Sequence, residues 1–436
     1  MQISYDKETL DNGLDVIVHV DHSCPIVAIN VWYHVGSKNE QPGRTGFAHL
    51  FEHLMFEGSE HHDRGYFSPL QEAGGALNGS TNADRTNYWE VVPTGAVERA
   101  LWMESDRMGF LLPALTQEKF ETQRQVVLNE RRQNYENRPY GMVPMALMPA
   151  LFPAGHPYHW LTIGEPADLT AASFDDVRAF FRTYYHPGNA SLVLAGDIDT
   201  LEGFELARHY FGEIPTGPSR PAVTVSDPPL SGSSRLLLED RVEFPRLYLS
   251  WRSPRLFGAG DAALDLLAMI LSSGKSSRLY RRLVHDSRIA TDVSVGQGSR
   301  ELSGVFSIVA TAAPGHSLTE VEAAISDELN EVLHDGLHDD EVARSQATVE
   351  ANFVYHLQSV GDFGGRSDQL NAYNVYLDDP GHFDADLARY LAADSDSIRS
   401  AAQACLTEDG RVALSVIPAG GGLSIGLSDS RQVDVV

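Results

Sequence analysis

Apolar and polar positions along the chain follow two styles, one suited to strands and one to helices. The runs "LDVIVHV" (14–20) and "IVAINVWYHV" (26–35) are short and almost continuously apolar, as buried strands are. They lead into "FAHLFEHLMF" (47–56), whose apolar residues recur at helical spacing. A second such series starts past the middle, with "SRLLLED" and "RLYLSWR" as strands and "DAALDLLAMILSSGKSSRL" as a helix. Each series closes on a turn signal and a buried strand, "HPGNASLVLAGDI" in the first and "TEDGRVALSVIPA" in the second. Between them, residues 212–235 are the stretch richest in Pro, Gly and Ser and read as an extended linker. The pattern predicts an α+β protein with two homologous domains of roughly 200 residues. They occupy 1–216 and 235–436, joined by a linker at 217–234.

The first helix carries three residues that are costly to bury without partners: His49, Glu52 and His53. His49 and His53 are four apart, so they leave one helix face a single turn from each other. Two imidazoles so placed can take adjacent corners of a tetrahedral zinc site. Glu52 lies at the edge of that face, within reach of a water beside such a metal. The order His-x-x-Glu-His is the inverted form of a zinc-protease helix motif. A pair of surface histidines on an amphipathic helix would produce the same letters. Aligning the second apolar helix on the glycines that end both, Gly58 and Gly274, puts Asp265, Ala268 and Met269 at these places. Only one copy has the set, so the repeated fold does not require it. A third protein ligand is still needed. The helix-patterned stretch 118–139, stopped by Pro139, contains Glu130, with 76 residues between it and His53. Taken alone, Glu130 reads as a solvated carboxylate.

Composition narrows the class without naming it. The 436 residues are 42% apolar and 21% charged, as in an ordinary globular protein, and no apolar run reaches membrane-spanning length. Sixty acidic against 33 basic residues give a net charge of −27, which disfavours nucleic acid and anionic membrane surfaces as partners. Two distant cysteines, Cys24 and Cys405, exclude a disulfide framework. The N-terminus lacks the features of a secretory signal, so a cytoplasmic location is expected, with a periplasmic one left open.

The sequence "HLFEH", the 76-residue gap and "VVLNE" ending on Glu130 do not stand alone. Together with "LDNGLDVIV", "VGSKNE", "GGALNGSTNADRTNYW", "HPYHWLTIGE" and "HPGNASLVLAGDI", they resemble the inverted-zincin peptidases of the pitrilysin, insulin-degrading enzyme and mitochondrial processing peptidase family. The likeness spans essentially the whole chain and is to the short bacterial-type members. It implies domains built as mixed, mostly antiparallel sheets packed against helices, with the chain forming half of a chamber. It implies Zn²⁺ held by His49, His53 and Glu130, and Glu52 as the general base that moves a proton from the attacking water to the leaving amine. Asn78 and Gly79 would lie where a peptide substrate adds as an extra strand. An ordinary hairpin is the other reading of those two residues.

Two positions depart from the resemblance. Seven residues before the ligand Glu, the family usually has a second Glu supporting the metal; here stands Gln123, on the same helical face, able to hydrogen-bond a ligand without adding charge. In the second domain an Arg and a Tyr, seven apart, are expected to bind substrate, but the matching positions are Val284 and Thr291. The implied protein is a zinc endopeptidase subunit completed by a same-fold partner that supplies Arg and Tyr, a heterodimer. A non-catalytic structural or processing-peptidase-like subunit is the main alternative, and a zinc hydrolase of non-peptide substrates a third.

Overall fold

The strand pattern resolves into two six-stranded sheets. The computed structural model describes residues 2–225, 228, 230, 232–421 and 425–435. The first sheet contains β1 (Asp6–Thr9), β2 (Asp15–Val20), β3 (Ile26–Tyr33), β4 (Ala76–Thr81), β5 (Thr86–Pro93) and β6 (Ala190–Gly196), ordered β1-β2-β6-β3-β5-β4. The second contains β7 (Ser234–Asp240), β8 (Arg246–Ser253), β9 (Ala290–Gly298), β10 (Gly304–Ala312), β11 (Val412–Pro418) and β12 (Arg431–Gln432), ordered β12-β7-β11-β8-β10-β9. Within each, one central pair is parallel, β2 with β6 and β7 with β11, and the neighbours beyond β6 and β11 are antiparallel. Leaving out the outermost β1 and β12, order and direction are the same in both sheets. The fold is α+β and duplicated, as the pattern predicts.

The helices that follow β3 and β8, Phe47–Leu54 and Asp261–Ser272, both start after a left-handed glycine, Gly46 at φ +89° and Gly260 at φ +86°. Aligned on those starts, His49, Glu52 and His53 correspond to the buried Ala263, Leu266 and Leu267. The pairing with Asp265, Ala268 and Met269 is therefore displaced, because the second helix has 12 residues and the first has 8. The second copy carries apolar residues where the first carries His49, Glu52 and His53.

By contacts the chain forms two compact units, one of Met1–Arg131, Trp160–Thr224 and Asn352–Ala385, the other of Arg132–His159, Val225–Ala351 and Asp386–Val436. This division differs from contiguous domains at 1–216 and 235–436: residues 132–159 join the second sheet and 352–385 the first. Strand β3 shows the physical reason. Successive side chains point to opposite faces, yet Ala28, Asn30 and Trp32 are as buried as Val27, Ile29, Val31 and Tyr33. Both faces need cover, and the helix Arg366–Leu377 packs over β3 and β6. Asp368 Oδ1 accepts from Trp32 Nε1 (2.9 Å) and Asn87 Nδ2 (3.1 Å), and Asn371 Nδ2 donates to the Asn30 carbonyl (2.8 Å). In the second unit, the helix Val143–Leu151 packs likewise on β7, β8 and β11. Of the expected linker, positions 226, 227, 229 and 231 lie outside the described residues; the others before β7 belong to no helix or strand. Among the described residues, no helix is long and apolar enough to cross a membrane.

Each unit buries ionisable groups. In the first, Arg107 on helix Val97–Ala114 is 1% exposed; its Nε donates to Glu104 Oε2 (2.9 Å) and its guanidinium lies over the rings of Tyr66 (4.1 Å) and Tyr88 (4.2 Å). In the second, burial pushes Asp265 up to about 7, against the hydrogen bond that Tyr390 donates to it (2.8 Å). A carboxyl that holds its proton more tightly in the folded chain stabilises the fold fully below its unfolded value of about 4. That contribution is lost as pH rises toward the folded value. Asp265→Asn is therefore expected to flatten the fall in melting temperature between about pH 4 and 7. Parallel pH profiles for variant and wild type would contradict this.

Candidate metal centre

Helix Phe47–Leu54 is too short to persist on propensity and is held by its surroundings. Gly46 packs so closely that a Cβ there would lie 2.9 Å from Leu169 Cδ2 and 3.1 Å from Gly164 Cα. Ahead of it, the buried Glu40 carboxylate accepts from the backbone N–H groups of Gly46 (2.9 Å) and Ala48 (2.8 Å). It satisfies donors that a helix start leaves open, from outside the helix. Burial pushes Glu40 up to about 8, while these N–H donors pull it down. Phe47, Ala48, Leu50, Phe51 and Leu54 are buried, with Phe51 against the rings of Phe180, Phe181 and Tyr185. The face left over carries His49, Glu52 and His53.

Helix Gln117–Arg131 brings Glu130 to this face. His49 Nε2 and His53 Nε2 are 3.4 Å apart, and Glu130 Oε2 lies 3.5 Å from the first and 3.4 Å from the second. A tetrahedral zinc with donors at about 2.0–2.1 Å spaces those donors about 3.3–3.4 Å apart. The three residues fit that ion. Burial lowers His49 to about 4, and the neighbouring His53 adds to the shift, so its imidazole is neutral, the form that binds metals. Its Nδ1 is buried with no hydrogen-bond partner among the described residues. Glu52 is raised by burial, opposed by a hydrogen bond from Thr81 of β4.

Strand β4 pairs with β5 alone and forms an edge of its sheet. Asn78 is exposed, its Oδ1 accepting from the Gly79 N–H (2.8 Å). Gly79 is buried on the opposite face, where a Cβ would stand 3.0 Å from Tyr88 Cδ1 and 3.2 Å from the Phe56 ring. Its lack of a side chain thus has a packing cause. Gln123 donates its Nε2 hydrogen bond to Glu57. Val284 is half-buried in the wide-turned helix Tyr280–Asp286, and Thr291 is exposed on β9, donating to Asp292 (3.0 Å). The nearby Arg278 and Arg282 are paired with Glu341 (2.6 Å) and Glu328 (2.6 Å).

Three further residues shape the site: Glu40, Glu57 and Thr81. Glu40 lies ahead of the helix it serves, where no helical period points to it, and Glu57 stands four residues after His53, past the helix end. Thr81 had a signal, since it is two residues from Gly79 and shares its face of β4.

The sequence model described as insulinase, peptidase family M16, matches residues 15–157, and that described as peptidase M16 inactive domain matches 171–349. The zinc protease PqqE of Helicobacter pylori is 28% identical over 366 residues, covering 83% of this chain and 82% of the relative. The solved structure of a protease from Helicobacter pylori superposes with a TM-score of 0.89 at 25% identity, covering 96% of this chain and 100% of the other. The periplasmic protease PqqL from Escherichia coli shares the fold with a TM-score of 0.79 at 17% identity, and 98% of this chain matches 49% of that one. With two models of one family taking in most of its length and with its duplicated fold present whole in a solved protease, the chain belongs to the M16, insulinase-like, peptidase family.

Proposed function

We propose that this chain is the zinc-bearing subunit of a metalloendopeptidase that cuts extended, unfolded peptides. The observation that carries the reading is the triangle of His49, His53 and Glu130, with edges of 3.4–3.5 Å, on the helix that also carries Glu52. Bound zinc supplies Lewis-acid activation of water and of the scissile carbonyl. Glu52 takes the proton of the attacking water and passes it to the leaving amine nitrogen. The open edge of β4 offers unpaired backbone groups to a peptide, which adds as a further strand along Asn78 and Gly79.

The partner follows from Val284 and Thr291. Neither side chain can donate a charge-assisted hydrogen bond to a substrate carbonyl, a contact whose loss typically costs about 10²–10³ in rate. A same-fold chain carrying Arg and Tyr completes the site in a heterodimer, an arrangement in keeping with PqqL, of which this fold occupies 49%. The same two residues favour the second reading, a subunit that binds peptides and does not cut them.

Hydrolysis of an unstructured peptide by the purified chain, alone and with same-fold partners, tests this. The expected result is weak hydrolysis alone, stimulation on the order of 10²-fold by the right partner, and sparing of stably folded proteins. Full activity without a partner would remove the heterodimer, and absence of hydrolysis in every combination would leave the non-catalytic reading.

A further inference from the structure

Gln123 was expected to support a metal ligand directly, yet it hydrogen-bonds Glu57. We propose that this bond is a positioning device: it fixes helix Gln117–Arg131 against the end of helix Phe47–Leu54 and thereby holds Glu130 at the two histidines. The inference rests on the reading of His49, His53 and Glu130 as a zinc site.

The geometry is that of a two-point attachment. Gln123 precedes Glu130 by seven residues, two turns or about 10 Å along one face of its helix. Glu57 follows His53 by four residues, in the turn where Phe56 N–H donates to the His53 carbonyl (3.0 Å) and Glu57 N–H to that of Leu54 (3.1 Å). The segments therefore run antiparallel past each other, joined at one end by Glu130 and the histidines and at the other by Gln123 and Glu57. The longer helix has other anchors, but these two contacts set its placement against the segment that carries the histidines.

Apolar packing does little of this work. Of the 15 residues of helix Gln117–Arg131, only Phe120, Val127 and Arg131 are buried. Lys119 is paired with Asp63 at one end and Arg131 Nη1 donates to the Gly164 carbonyl (3.2 Å) at the other. Between them, Gln123 reaches the segment carrying both histidines. The bond is also polarised, an amide donor meeting a carboxylate acceptor, which makes it stronger than a neutral pair. That polarity yields an outcome opposite to what charge alone suggests. A Glu at 123 brings a negative charge nearer the metal, but it has no proton to give Glu57 and faces a like charge.

Zinc affinity measured by chelator competition on the full chain tests the proposal, with melting of the metal-free proteins followed in parallel. Wild type is expected to bind one zinc tightly, and Gln123→Glu and Gln123→Ala to bind about tenfold or more weakly. The double variant Glu57→Gln/Gln123→Glu, which remakes the bond with its direction reversed, is expected to recover to within about threefold of wild type. Binding by Gln123→Glu as tight as or tighter than wild type would overturn the proposal, as would a double variant no better than Gln123→Ala. If Gln123→Glu alone does not fold, the comparison of Gln123→Ala with the double variant decides. Failure of the wild type itself to bind zinc tightly would remove the zinc reading and the proposal with it, and so separates the two failures.

Discussion

Glu52→Gln is expected to lower peptide hydrolysis by about 10²–10⁴-fold while zinc content stays at one per chain. Gln has the shape of Glu and can still accept the Thr81 hydrogen bond, so the helix and its ligands have no reason to move. What it cannot do is take a proton from water. The contrast is His53→Ala, which removes one corner of a triangle whose edges are 3.4–3.5 Å and should release most of the metal. Loss of activity with metal retained in one variant, and with metal lost in the other, separates the base from the ligands. Near-normal turnover by Glu52→Gln, with metal bound, would contradict its role.

The largest effect on stability is expected at Arg107. Its guanidinium hydrogen-bonds Glu104, which is 0% exposed and also accepts from the Tyr66 hydroxyl (2.9 Å). Glu90 adjoins them; burial and then Glu104 hold it well above the usual carboxylate range, so it stays protonated. Arg107 is thus the partner that allows Glu104 to be a buried anion. Arg107→Ala should cost about 3–5 kcal/mol, the usual result of leaving a buried charge uncompensated. It also opens a gap between the rings of Tyr66, Tyr88 and Phe56, and Phe56 and Tyr88 are the residues against which Gly79 packs. Because the cost is mainly that of the stranded carboxylate, Arg107→Met with Glu104→Leu should be less destabilising than Arg107→Ala alone. Urea denaturation of the variants checks this, and additive losses in the double variant would contradict it.

Much of this arrangement is legible in the sequence, for particular reasons. The strands and their duplication show because each run is apolar and each repeat closes on a turn signal followed by a buried strand. His49 and His53 show because four residues on a helix is one turn, and Glu130 because the likeness to known peptidases specifies its distance along the chain. Other features are hidden by the same physics. The apolar runs of β3 announce a strand buried on both faces, but nothing in them says that residues 352–385 supply the second cover. The Gln123–Glu57 bond joins a helix to a turn across 66 residues, and no local period marks it. The two helices share their starts and differ in length, so the trailing glycines do not mark equivalent positions.

The measurement that bears most directly on the account is anomalous diffraction from crystals of the zinc-loaded chain, recorded on both sides of the zinc absorption edge. One strong peak per chain is expected within about 2.0–2.2 Å of His49 Nε2, His53 Nε2 and a Glu130 carboxylate oxygen. A peak elsewhere, or none between these three residues, would contradict it.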